Sequence, residues 1–141
     1  GLSFIGGVSG PGGFSNLRGA AGILDVLSLR FNLLVHQVRA DRLVTKMLER
    51  HGEDVPFLLN SFSDGVFCLE DKKLVRTTVD EVVEKFGEGE IFVDFLPEEK
   101  AQKFQKKISI NSNNLAEILL EVLLEAEPQK QFIPAYEFPA V

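Results

Sequence analysis

Apolar residues recur at helical spacing through the first third of the chain. Val26, Leu29, Leu33, His36, Ala40, Leu43 and Met47 follow one another in alternating steps of three and four, the spacing that keeps side chains on one helical seam. Beside them lies a second apolar set, Ile23, Leu27, Phe31, Leu34, Val35 and Val38. The pattern predicts one helix over residues 15–51, buried on more than one side in its first half. Beyond Arg39, the charged residues Asp41, Arg42, Lys46, Glu49 and Arg50 leave a single apolar stripe, so the second half reads as an amphipathic surface helix. Ser15 or Asn16 can cap the start, and Gly52 suits a left-handed stop. Such a helix would be roughly 50 Å long, comparable with a whole domain of this size, with Gly19 and Gly22 as points for a kink.

The period then changes. Val55 to Phe62 and Val66 to Leu69 flank Ser63-Asp64-Gly65, and Asp-Gly between aliphatic and aromatic runs is a hairpin signal. Glu70 to Lys73 forms a charged turn before a third short strand at residues 74–77. Thr78 followed by Glu81 fits a capping box that opens a short helix from Val79 to Phe86, closed by Gly87. Ile91 to Leu96 reads as a strand, and Pro97-Glu98-Glu99 starts a helix expected to run to Lys106 and Lys107. In the last helix, residues 115–126, only Glu117, Glu121 and Glu125 are charged, and seven aliphatic residues require burial on nearly every side but one. Pro128 ends it.

The fold class that follows is α+β: a long N-terminal helix packed with a small β-hairpin or sheet, two short helices and a buried C-terminal helix. Residues 1–14 read as a glycine-rich arm, 15–127 as a single domain, and 128–141 as an extended tail rich in aromatics and proline, suited to docking. No internal repeat is apparent in the sequence.

Composition narrows the function. A 141-residue chain that is 45% hydrophobic holds one real core. The net charge of −6 conceals an asymmetry. Residues 1–52 carry six Lys or Arg against three acids, whereas residues 53–141 carry nine against eighteen, so the two parts should attract each other or neighbouring copies. The basic residues Arg39, Arg42 and Lys46 are the expected partners of the final helix's glutamates. An acidic total argues against sequence-independent nucleic-acid binding. Asp25, Arg30 and His36 make membrane insertion of residues 19–38 costly. One cysteine gives no internal disulfide, which is compatible with a reducing intracellular compartment or a virion.

Candidate chemistry is sparse. Residues 1–14 resemble in outline a strand, a phosphate-cradling glycine loop and a helix start, but they lack a GKS or GKT triplet and the GxGxxG spacing. Cys68 would need an activating histidine, either His36 or His51, and otherwise reads as a buried thiol. His51, Glu53 and Asp54, and separately Glu88, Glu90 and Asp94, read as solvated polar groups, so neither a metal nor any other cofactor is expected. Lys100, Lys103, Lys106 and Lys107 form a basic strip, read as a solvated helix face. The run LVTKMLERHGEDV resembles the helix-to-strand junction of some phage head–tail connector proteins, over too few residues to transfer a role.

The expectation is a noncatalytic structural subunit or adaptor of a larger assembly, contacting protein partners or copies of itself through Phe4, Ile5, Phe14, Leu29, Leu33, His36, Phe132, Tyr136 and Phe138. Its rivals are a small ligand- or nucleotide-binding domain using the glycine loop and a small enzyme built on a His/Cys site.

Overall fold

A computed structural model describes residues 3–10, 14–51, 55–110 and 112–135. The chain runs β1 (Ile5–Gly10), α1 (Phe14–Phe31), β2 (Val35–Arg39), α2 (Ala40–His51), β3 (Phe57–Asn60), β4 (Gly65–Glu70), β5 (Lys73–Thr78), α3 (Val79–Phe86), β6 (Glu90–Phe95), α4 (Glu98–Ala101), β7 (Lys106–Ile108) and α5 (Ser112–Glu125). The fold is α+β with a long N-terminal helix, as the pattern predicted.

The single helix expected over 15–51 is divided. Asn32, at φ 50°, takes the left-handed position that ends α1, and the Leu33 amide donates back to the Ser28 carbonyl at 3.0 Å. That is the bond of a Schellman stop, for which asparagine is a usable substitute for glycine. Val35–Arg39 then forms a strand whose Val35 and Val38 are buried. Residues 5–10, expected within the glycine-rich arm, form β1, which pairs with β2 in parallel from Ile5 opposite Val35. Among the described residues β1 has no second strand neighbour.

The remaining strands form a five-stranded sheet in the order β5-β4-β3-β6-β7. β3, β4 and β5 form the expected antiparallel meander, while β6 lies parallel to both β3 and β7. The helix expected to reach Lys107 stops at Ala101, and Lys106–Ile108 is a strand instead. Side chains divide between the two sheet faces with period two. Phe57, Leu59 and Phe92 enter one apolar cluster, while Leu58, Val66, Cys68 and Ile91 enter another with Val79 and Val82 of α3.

α2 and α5 provide the layer shared by both sheets. Val44 and Met47 of α2 and Ile118 and Val122 of α5 join Val38, Phe57 and Phe92 in one buried cluster. On the far side of the small sheet, α1 packs over Gly7, where an added Cβ would stand 3.2 Å from Leu24 and 3.7 Å from the Phe132 ring. At Gly6 the same atom would lie 2.7 Å from the His36 carbonyl, too close to fit. Two units therefore share one plan, β1-α1-β2-α2 and β6-α4-β7-α5, each a parallel strand pair with a helical crossover followed by a helix packed on its counterpart. This repeat is one of topology, without a matching repeat in the residues.

α5 is less enclosed than its composition suggests. Ile118 and Val122 are buried, but Leu120 and Leu124 are exposed. Its glutamates face α2: Arg42 pairs with Glu125 at 2.8 Å, and Lys46 at 3.6 Å and Arg50 both reach Glu121. Arg39 pairs with Asp41 of its own segment at 3.4 Å. No helix among the described residues is long and apolar enough to cross a membrane.

Candidate interaction surface

The outer side of α1 leaves several large apolar side chains facing water. Leu17 and Ser28 turn inward, whereas Ile23, Val26 and Leu29 recur at three-residue steps along the solvent side, with Phe31 and Leu34 exposed at its end. Leu29 is 84% exposed and Val26 64%. Gly19 and Gly22 continue this face toward the N-terminus, and an added Cβ at either would meet open space. A strip of large aliphatic side chains beside two glycines is flat enough for another helix to approach closely.

The expected contact residues divide into three groups. Leu29 is free on the surface. Phe4, Ile5, Leu33 and His36 are half-buried within the molecule: Phe4 packs on the His36 ring at 4.7 Å, Ile5 lies in the β1–β2 pair, and His36 Nδ1 lies 2.8 Å from the Leu123 carbonyl oxygen. Phe132 is only 2% exposed. The tail that carries it docks on its own chain, through mutual backbone bonds between Gln129 and Val35, a bond from the Phe132 amide to Asp25, and paired bonds between Gln37 and the Ile133 backbone. The Phe14 side chain, Tyr136 and Phe138 lie outside the described residues.

Cys68 is not set up as a nucleophile. It is buried in β4, and burial pushes its thiol above the ordinary value, with the Lys85 charge opposing. The described contacts of His36 are with Leu123 and Phe4, and His51 meets the Phe92 ring edge-on at 5.9 Å. Among the described residues no three of His, Cys, Asp or Glu converge to hold a metal ion. The expected strip of four lysines is also broken, because Lys100 turns inward. It is 7% exposed, and its ammonium donates to Asn60 Oδ1, the Ser61 carbonyl and the Gly65 carbonyl at 2.7, 2.7 and 2.6 Å. Sequence reasoning placed Lys100 with its charged neighbours because nothing local distinguishes a lysine that crosses to a distant turn.

The chain matches no family model and no curated protein. Two solved structures from Pseudomonas aeruginosa share its fold. One is YeaZ, with a TM-score of 0.54, 14% identity and coverage of 96% of this chain and 74% of that one. The other is an uncharacterized protein with similarity to peptidase YeaZ, with a TM-score of 0.56, 14% identity and coverage of 96% and 73%. At this identity the likeness is one of fold, and the chain has the architecture of YeaZ-like proteins.

Proposed function

We propose that the protein is a noncatalytic subunit of a larger protein assembly and that it docks through the outer face of α1. The observation that carries this reading is the run of Ile23, Val26, Leu29 and Phe31 left facing water on a helix that turns Leu17 and Ser28 inward. Exposed aliphatic area of this kind contributes about 25 cal/mol per Å² once covered. The glycines at positions 19 and 22 favour a helix as the covering element, and a second copy of α1 supplies a matching surface. A peptidase role, by analogy with the peptidase likeness of one structural neighbour, draws no support from Cys68, which is buried, held as a thiol and not in described contact with either histidine.

Sedimentation equilibrium over a range of concentrations tests the reading. The wild-type chain is expected to self-associate, and Leu29→Asp to remain monomeric, with the thermal midpoint of the wild type at dilutions where both are monomers, because Leu29 makes little contact within its own subunit. A wild type that stays monomeric at every concentration, or a Leu29→Asp variant that associates equally well, overturns it.

A further inference from the structure

A cleft of about 470 Å³ opens where the two units meet, and none of its lining residues belongs to the α1 face. Its walls come from the end of β2 and the start of α2, the turn between β4 and β5, and the end of α5. Buried Val38 and Val122 give it an apolar floor. Around them stand Arg39, Arg42, Lys72 and Lys73, opposed by Asp41 and Glu125. Arg39 meets Asp41 and Arg42 meets Glu125, so each acid is already engaged by one arginine. Lys72 and Lys73 have no carboxylate within ion-pair distance among the described residues. Among the described residues the cleft lining therefore holds four cations against two acids, an excess of two positive charges in a chain whose net charge is −6.

The turn that delivers the lysines is unusual for its sequence. Glu70 pairs with Lys73, so Asp71 and Lys72 form a two-residue hairpin loop, with φ of 49° and 64°. Such a loop favours Asn-Gly or Asp-Gly, because a side chain is disfavoured at positive φ. A lysine at the second position retains conformational cost at the rim of a cavity, a pattern found where the side chain itself is used.

We propose that this cleft binds a small organic phosphate. Its dianionic group would sit among Lys72, Lys73 and the two arginines, whose planar forks suit phosphate oxygens, while its apolar part would lie on Val38 and Val122. The volume falls within the range of small-molecule sites.

Phenyl phosphate, inorganic phosphate and benzylamine are the probes, followed by amide chemical-shift titration of the full chain. Phenyl phosphate is expected to saturate, moving the amides of Arg39, Thr45, Lys72 and Lys73. Inorganic phosphate should bind more weakly because it lacks the apolar part, and benzylamine should not bind. Lys72→Gly is the decisive variant. It creates Asp-Gly, so its thermal midpoint should equal or exceed that of the wild type, while affinity for phenyl phosphate falls about tenfold with one charge-assisted contact removed. No saturation up to about 10 mM, a range that would still detect binding of a few kcal/mol, overturns the proposal. So do equal affinity in Lys72→Gly, stronger binding of benzylamine, or shifts confined to another surface.

Discussion

Lys100 shows how much one side chain can hold in place. Its three ammonium hydrogens meet three oxygens that belong to the β3–β4 connection, so α4 is tied to the opposite end of the hairpin without a carboxylate in contact. Burial pushes the group below the ordinary lysine value, and the charges of Glu99 and Asp64 oppose that shift. Glu81 presents the reverse case. It accepts from the Thr77 hydroxyl and the Thr78 amide, while the Thr78 hydroxyl accepts from the Glu81 amide, completing the capping box of α3. The Thr77 and Thr78 bonds hold its carboxyl below the ordinary value of 4.5. A depressed carboxylate contributes stability that is present above the unfolded value and lost as pH falls through the folded one. The thermal midpoint of Glu81→Gln is thus expected to lie below that of the wild type at neutral pH, and the two should converge as acid protonates Glu81. Parallel melting curves across an acid series check this, and a gap that persists at the acid end contradicts it.

At the scale of elements, α5 separates composition from burial. Ile118 is fully buried between the sheets and Leu120, two residues on, is half-exposed. Ile118→Ala is expected to cost about 2–5 kcal/mol, the range for a truncated core aliphatic, and Leu120→Ala to fall within about 0.5 kcal/mol of wild type. Urea unfolding of the two variants provides the measurement, and equal losses would mean that the helix sits differently. Local signals were legible wherever the deciding interaction was local: the Asp64-Gly65 turn, the Thr78–Glu81 cap and the stop at Gly87 all stand where the sequence put them. The division of residues 15–51 was not. Its steps of three and four continue through Leu33 and His36, so the apolar period masks a stop carried by Asn32 and a strand stabilised by pairing with distant β1 and with Gln129 of the tail. The exposed face of α1 was half legible: Leu29 and Val26 stand on the apolar seam of the sequence, but a single chain gives no sign of whether such a seam is covered from within. The cleft was invisible, since its arginines stand where β2 meets α2 and its lysines in the β4–β5 turn, elements brought together only by the packing of α2 on that hairpin.

The whole molecule is five layers deep in chain terms: α1, the small sheet, the α2–α5 pair, the large sheet and α3. The middle layer is common property, because Val38 of one sheet and Phe57 of the other bury against the same helical side chains. Neither sheet can be stripped of that layer without exposing the other, so both are expected to unfold in one transition. Native-state amide exchange should show Val38 and Leu58 converging on a single opening free energy as denaturant is raised. Two separate plateaus would instead make the units independent. The asymmetric charge reinforces the layer, with Arg42, Lys46 and Arg50 of α2 against Glu121 and Glu125 of α5, although exposed pairs of this kind contribute only about 0–1 kcal/mol each.

Among the described residues β1 meets no second strand and takes only one backbone bond from the tail, from the Ala135 amide to the Ser9 carbonyl at 2.7 Å, which bears on how the protein behaves in crowded solution. A strand with a bare backbone edge is a template on which foreign strands can grow into fibrils. Here the strand reads IGGVSG. Half of its residues lack a side chain to interlock with an incoming sheet, and glycine is entropically costly to hold extended. The same glycines that let α1 and Leu123 lie close against the small sheet therefore make its edge a poor seed for amyloid growth.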